Sequence, residues 1–291
     1  MAQRASSQGS AGRSSNVPDT SPTNRLVVPV DRHKELPTIL CSRGLHLWWI
    51  SVGLENRIGI LADVARVVSD LGLNIGSSQS WVAADGRTGR WTCFAETRET
   101  LTAARIESAL QRRPGVTDVA VESDHHGVLI AKGYPILSTI GSRLVAITAS
   151  PFSAMLDEVR MTLGSGGAVL LYQQGKALGK VTWEGNFSTV GEAVVHEEAA
   201  YLLELYSTLG WGQLESVTID EASKRAVVVV SDSFECASTS GGSSCCYFLR
   251  GHIAGFFETL WKVPIQAAET TCRGKGDPVC TFEMTREAAP P

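Results

Sequence analysis

No apolar run in this sequence approaches the ~20 residues that a membrane-spanning helix needs, and the N-terminal stretch has no export-signal h-region. Charge is scarce as well. Charged residues make up 19% of the chain and the net charge is −4, so there is no electrostatic case for binding nucleic acid. No Gly-x-Gly-x-x-Gly fingerprint, ATPase P-loop, helix-turn-helix pattern or nucleophile triad is present. The cysteines number seven, an odd count that excludes a fully paired disulfide framework. With no export signal, this predicts reduced thiols in a cytosol-like compartment. These absences predict a soluble, cytoplasmic protein without a membrane or nucleic-acid partner.

What is present is a substantial apolar fraction. At 291 residues and 43% hydrophobic, the chain is long enough for two ordinary domains and a tail. Residues 1–24 are rich in Ser, Gly, Arg, Asn and Pro and nearly devoid of large apolar side chains. Such a segment buries too little surface to offset its ordering entropy, so it is expected to be disordered; the Arg/Ser bias is also that of a transit peptide. Residues 25–44 read as a linker, with a strand-like patch at Leu26–Val30.

From 45 to 123 the pattern becomes regular. Leu47–Val52 favours a strand. Ile60, Leu61, Val64, Val67, Val68 and Leu71 mark one helical face, which Gly72 ends. Asn74–Ala83 and Gly89–Glu96 read as strands, Leu101–Arg112 as a second helix and Val116–Val121 as a last strand. The order strand, helix, strand, strand, helix, strand is a ferredoxin-like α+β unit.

That order resembles the ACT domain, a regulatory module that often binds amino acids at a paired interface. The local resemblance is Leu54-Glu55-Asn56-Arg57-Ile58-Gly59-Ile60-Leu61, where Gly59 and Leu61 match the family's turn. The usual proline is Ile58, and Asn56 stands in for the usual acid. The resemblance implies a homodimer and an amino-acid effector near Asn56 and Gly59, where helix N-terminal amides attract a carboxylate. The plainer alternative is that Gly59 only makes the turn.

A short hinge with His125-His126 leads to a second domain, residues 130–286. Adjacent histidines point to opposite sides of an extended backbone and make a poor chelate. Ser142–Thr148 reads as a strand, with helices over Pro151–Leu163, Ala168–Lys180 and Val190–Leu209. Leu214–Ile219 and Arg225–Ser231 form a hairpin pattern. After a Ser/Thr/Gly loop at Ser238–Ser244 come an apolar helix, Tyr247–Leu260, and two strands, Pro264–Thr270 and Val279–Met284.

The densest chemistry lies near the C-terminus, in Glu269-Thr-Thr-Cys272-Arg-Gly-Lys-Gly-Asp-Pro-Val-Cys280, with Cys246 upstream. Three thiols and a carboxylate, two of the thiols bracketing a Gly-Lys-Gly-Asp-Pro turn, suit a tetrahedral divalent metal, zinc first. Four protein ligands leave no open position, so such a metal is structural and its binding energy is partly folding energy. Cys236 and Cys245 compete for the first ligand position. Cys41 and Cys93 read as plain core or surface residues.

The signature Cys246…Gly251-x-x-x-Gly255-Phe256-Phe257, then Glu269-x-x-Cys272-x-x-x-Gly276-Asp277-Pro278-x-Cys280, resembles the four-vinyl-reductase-like family. Leu171-Tyr172-x-x-Gly175 and Ser233-Phe234-Glu235 also fit. That family includes the sensory domains of aromatic-responsive activators and a protein linked to bacteriochlorophyll synthesis. The resemblance implies a structural Zn2+ on Cys246, Glu269, Cys272 and Cys280, and a mainly apolar pocket for a small hydrophobic molecule. Candidate wall residues are Trp183, Trp211, Phe234 and Tyr247, with Phe187 and Phe248. In the phenol-sensing relatives a His and a Trp on the hairpin strands read the ligand. Leu214–Val217 and Ala226–Val230 offer neither, which argues against phenol itself.

The fold expected is therefore α+β: a ferredoxin-like ACT domain followed by a mixed α/β, zinc-stapled ligand-binding domain. The function expected is a zinc-containing sensor or regulatory protein rather than an enzyme. The alternative is an enzyme or accessory protein in tetrapyrrole vinyl-group reduction, for which His196 with Glu197 or Glu198 is the one acid–base candidate. A purely structural interaction module is a third possibility.

Overall fold

A computed structural model of the chain describes residues 36, 38–42, 44–133, 135–138, 141–237 and 242–287, without the side chains of 186–190, 192, 193 and 196. The expected disordered tail and the Leu26–Val30 patch lie outside these residues, as do the side chains of Phe187 and His196. The chain divides into two compact units, 1–134 and 135–291.

In the first unit the elements run β1 (Ile39–Cys41), β2 (His46–Glu55), α1 (Ile60–Asp70), β3 (Asn74–Val82), β4 (Thr88–Thr97), α2 (Ala103–Gln111), β5 (Val116–Ser123) and β6 (Val128–Ile130). The sheet order is β3-β4-β2-β5, all antiparallel, so β2 is central and must be apolar on the face the helices cover. Trp48, Ile50, Val52 and Leu54 supply that face and meet Ile60, Val64, Val67 and Val68 of α1 with Ile106 and Leu110 of α2. Each such side chain contributes about 1.5–3 kcal/mol on burial before entropy is subtracted. Leu61, expected on the buried stripe, is instead 42% exposed, while Ile60, Val64, Val67 and Val68 carry the buried face of α1. The Thr102 hydroxyl caps α2 by accepting from the Arg105 amide. The opposite sheet face is covered at one end by the β1–β6 ribbon: Leu47 and Phe94 are buried against Leu129, with Leu40 and Trp49 alongside.

The second unit runs β7 (Ile136–Leu137), β8 (Arg143–Leu144), α3 (Ala149–Leu163), α4 (Ser165–Val190), α5 (Glu192–Glu197), α6 (Ala199–Leu202), α7 (Leu205–Thr208), β9 (Gln213–Asp220), β10 (Arg225–Ser231), α8 (Tyr247–Trp261), β11 (Ile265–Thr271) and β12 (Cys280–Arg286). Three expectations are corrected here. The strand over Ser142–Thr148 shrinks to β8. The candidate helix at Ala168–Lys180 extends to α4's 26 residues. The long helix over Val190–Leu209 breaks into three short ones, since Gly191 adopts φ 96° and Glu198 leaves helical geometry between α5 and α6.

β9 to β12 form an antiparallel sheet in the order β11-β12-β10-β9. Against it lies α8, which is buried almost all round, as a helix apolar on every face must be. Glycines set how α8 meets α4. A Cβ on Gly175 or Gly179 of α4 would sit 2.1 or 2.3 Å from the carbonyl oxygens of Phe248 or His252, and one on Gly251 or Gly255 of α8 would sit 2.1 or 2.4 Å from those of Tyr172 or Lys176. The two backbones touch because neither helix carries a side chain there. Beyond the glycines, Lys176 and Lys180 pair with the carboxylate of Glu258, which also accepts the Ile265 amide at 3.0 Å.

Candidate functional site

Two neighbouring arrangements in the second unit carry chemistry: a knot of sulfurs at the start of α8 and an aromatic cluster along its length.

The sulfur knot is built by turns that aim backbone N–H groups at thiols. Cys272 follows β11 and caps a 3-10 turn, Arg273–Lys275. Gly276 closes the turn at φ 101°, a left-handed conformation that favours glycine. The Asp277 carboxylate accepts the Cys272 amide at 2.8 Å, which explains the Gly-Asp of the motif. Cys280 opens β12, where its sulfur accepts the Arg273 amide at 3.4 Å, and the sulfur of Cys272 accepts the Cys245 amide at 3.4 Å. Amide donors of this kind orient thiolates that bind metal. Cys246 precedes the first turn of α8, with its sulfur 3.3 Å from the Ser233 hydroxyl.

The sulfurs of Cys236, Cys246, Cys272 and Cys280 all lie within 4.8 Å of one another. Cys236 is 3.2 Å from Cys246 and 3.9 Å from both Cys272 and Cys280, and Cys246 is 3.5 Å from Cys280. Sulfurs held about 2.3 Å from a tetrahedral zinc ion lie about 3.8 Å apart; the 3.5–3.9 Å separations are close to that, and the 3.2 Å one between Cys236 and Cys246 is shorter. Both Glu269 oxygens are buried without a hydrogen-bond partner among the described residues, an arrangement costly enough to call for a cation. Burial, then the Cys272 thiol, raises the Glu269 pKa to about 8. Hydrogen bonds from Cys246 and Cys280 draw Cys272 well below the ordinary thiol range, and contact with it pushes Cys246 up. The expected ligands Cys246, Cys272 and Cys280 come together, Glu269 lies beside them, and Cys236 joins as a fifth. The donor set suits zinc: soft thiolates with one carboxylate. Reduced thiols throughout do not hold, because Cys236 and Cys245 are joined in a disulfide. Cys93 is buried in the first unit, and Cys41 is exposed.

The aromatic cluster lies further along α8. His252, 4% exposed, faces the Tyr206 hydroxyl, which is 2.7 Å from Nδ1. The Trp211 ring sits edge-on to both, with centroids at 4.7 Å from His252 and 5.8 Å from Tyr206. Phe234 and Phe248 pack against Trp211, and Phe152 stacks on Phe234 at 5.2 Å. Trp183 closes the other side against Tyr206 and Phe256. Backbone bonds pin Trp211, whose amide donates to the Tyr206 carbonyl and whose carbonyl accepts the Phe234 amide, each at 2.9 Å. Burial lowers the His252 pKa to about 4 and raises that of Tyr206, so the pair is neutral. Glu235, fully buried, receives the Phe248 and Leu249 amides at 2.9 and 2.8 Å and so caps α8 from outside.

Of the expected wall residues, Trp183, Trp211 and Phe234 meet in this cluster, as does Phe248. Tyr247 does not: it stacks with the guanidinium of Arg250, which also stacks on Tyr172, and faces Arg160. Sequence reading missed Tyr206 and His252. The one available signal was a histidine between Gly251 and Gly255 in a helix rich in apolar residues.

In the first unit, Gly59 caps α1 at φ 86°, and a Cβ there would meet no atom within 4 Å. Asn56 donates to the Gly86 carbonyl at 2.8 Å. A shallow groove lies at the far end of α1, lined by Val67, Asp70, Leu71, Ala109, Arg112 and Arg113.

Residues 226–286 match the V4R domain family model, and residues 48–111 match the ACT domain family model. Two uncharacterized proteins of Methanocaldococcus jannaschii are similar in sequence. One is 29% identical over 154 residues, covering 53% of this chain and 82% of the relative. The other is 28% identical over 130 residues, covering 43% and 69%. Among solved structures, the phenol-responsive sensory domain of the transcription activator PoxR, with phenol, is 19% identical with a TM-score of 0.40, covering 50% of this chain and 78% of that one. A vinyl-4-reductase family protein from Methanocaldococcus jannaschii is 18% identical with a TM-score of 0.35, covering 50% and 85%. The chain carries an ACT domain followed by a V4R domain.

Proposed function

We propose that the protein is a regulatory sensor whose V4R domain binds a small hydrophobic molecule and whose ACT domain pairs two copies. The observation that carries this reading is the neutral Tyr206–His252 pair buried inside an aromatic cluster. An apolar wall with one or two convergent polar groups is the usual make-up of a small-molecule site. The hairpin strands carry no histidine or tryptophan over Leu214–Val217 and Ala226–Val230. Here His252 comes from α8 and Trp211 from the turn before β9, so a hydroxylated ring returns as a candidate alongside bulkier hydrophobic ligands.

A structural zinc ion on Cys246, Glu269, Cys272 and Cys280 would tie the start of α8 to the end of β11 and the start of β12. It would supply no open coordination position and hence no catalysis. Ligand binding would act through a preference for one arrangement of the paired chains, with an amino acid near Asn56 and Gly59 as a second effector. Native mass spectrometry of the purified full chain tests the reading. The expected result is a dimer with one zinc per chain and a co-purified or added hydrophobic ligand. Failure of aromatic and tetrapyrrole probes alike to bind would overturn it. Turnover of a divinyl pigment with NADPH or ferredoxin would replace it by the vinyl-reduction reading.

A further inference from the structure

The knot offers five donors to a tetrahedral ion, Cys236, Cys246, Cys272, Cys280 and Glu269, and a tetrahedral ion takes four. Cys246, Cys272 and Cys280 are the buried free thiols of the knot and hold three places. The fourth place is contested between the Cys236 sulfur, within 3.9 Å of each of the other three, and the Glu269 carboxylate, whose buried oxygens have no other partner among the described residues. Cys236 differs from the shared sulfurs in two respects. It is only partly buried, and it is already covalently engaged with Cys245.

We propose that Cys236 is a shared residue: a metal ligand when reduced and the disulfide partner of Cys245 when oxidised, exchanging the fourth coordination place with Glu269. This rests on the metal centre proposed above and adds a regulation to it. A sulfur bonded to Cys245 is no longer a thiolate and ligates weakly, so the disulfide form leaves the place to Glu269. The orphaned carboxylate of the disulfide-bonded structure is what that form requires. The oxidant is hydrogen peroxide. The Cys236 thiolate attacks the peroxide O–O bond, giving a sulfenic acid and hydroxide. The Cys245 thiol then attacks the sulfenic sulfur, forming the S–S bond, and water leaves. Each sulfur gives up one electron and the peroxide takes both. A dithiol reverses the step by exchange. The partial exposure of Cys236 gives the peroxide access, while burial protects Cys246, Cys272 and Cys280.

The test uses the full chain loaded with cobalt(II), whose sulfur-to-metal absorption scales with the number of bound thiolates. With dithiothreitol, the band is expected at four-thiolate strength. Hydrogen peroxide should lower it by about one quarter with the metal retained. Peptide mapping should then find Cys236 linked to Cys245, and dithiothreitol should restore the band. Cys236→Ser should show the weaker band in both states with no redox response. Cys245→Ser should keep the stronger band and lose the reversible drop. A band of equal strength in Cys236→Ser and reduced wild type would overturn the exchange while leaving the metal centre standing. So would peroxide oxidising Cys246, Cys272 or Cys280 with loss of cobalt. Wild type that folds and binds no cobalt would remove the metal centre and the exchange together.

Discussion

The Cα of Gly251 on α8 lies so close to the Tyr172 carbonyl of α4 that a Cβ built on it would stand 2.1 Å from that oxygen. Because the obstruction is backbone rather than the tip of a flexible side chain, relief requires moving one helix from the other.

Gly251→Ala should therefore destabilise the V4R unit by about 2–4 kcal/mol, as severe overpacking does. Gly166→Ala supplies the contrast. It lies on α4 with open space around it, and alanine there should be neutral or stabilising by up to about 1 kcal/mol. Thermal melts of the two variants decide the matter, and equal melting points would contradict close backbone packing.

Metal removal should unfold the second unit. Cys272→Ala takes away a sulfur of the knot, the one that accepts the Cys245 amide, and it should lose both zinc and cooperative unfolding. Metal analysis with circular dichroism in the presence of a strong chelator reads the same link without mutation. A soluble, cooperatively folded protein free of zinc would contradict it.

Acid should weaken the fold through His252. Its folded pKa is lowered to about 4 by burial, against about 6.5 when unfolded. Between these values the unfolded chain binds the extra proton, so stability rises with pH across the window and is lost as pH falls from about 6.5 towards 4. The shift corresponds to about 3 kcal/mol at most. His252→Gln should flatten this part of the stability–pH curve. A curve of unchanged slope would show that another group is responsible.

Tyr206→Phe removes the hydroxyl that stands 2.7 Å from His252 and leaves a buried ring nitrogen unpaired. The cost should be about 1–3 kcal/mol in stability. If the pair reads a ligand hydroxyl, affinity for hydroxylated rings should fall about tenfold or more while affinity for purely apolar probes changes little. Calorimetry with matched probes separates the two.

Much of this was legible in the sequence, and the exceptions have physical reasons. The ferredoxin-like order could be read because β2, α1 and α2 each bury one face and so display clean periodicity. The second unit was harder. α4 buries Leu171 and Trp183 while leaving Val169 and Val181 exposed, so its stripe is indistinct, and no pattern announced its length. The cysteine motif could be read because Gly276 and Asp277 are dictated by the turn that presents Cys272 and Cys280. Cys236 could not be placed firmly, since its approach to Cys246 is set by how β10 leads into α8. The Tyr206–His252 pair joins residues far apart in the chain through the packing of α7 on α8, which no local spacing encodes.

The β1–β6 ribbon bears on where the first unit can be cut. Ile39 pairs with Ile130, and the Ala131 amide donates to the Thr38 carbonyl at 2.9 Å, so the two ends of the unit are laced together across the sheet. A fragment trimmed to the bare ferredoxin-like core, ending at Ser123, would uncover Leu47, Phe94 and Trp49 in one patch and should aggregate. A fragment from about Leu36 to Lys132 keeps the lacing and should remain dispersed, so the portable form of this ACT domain extends beyond its family pattern at both ends.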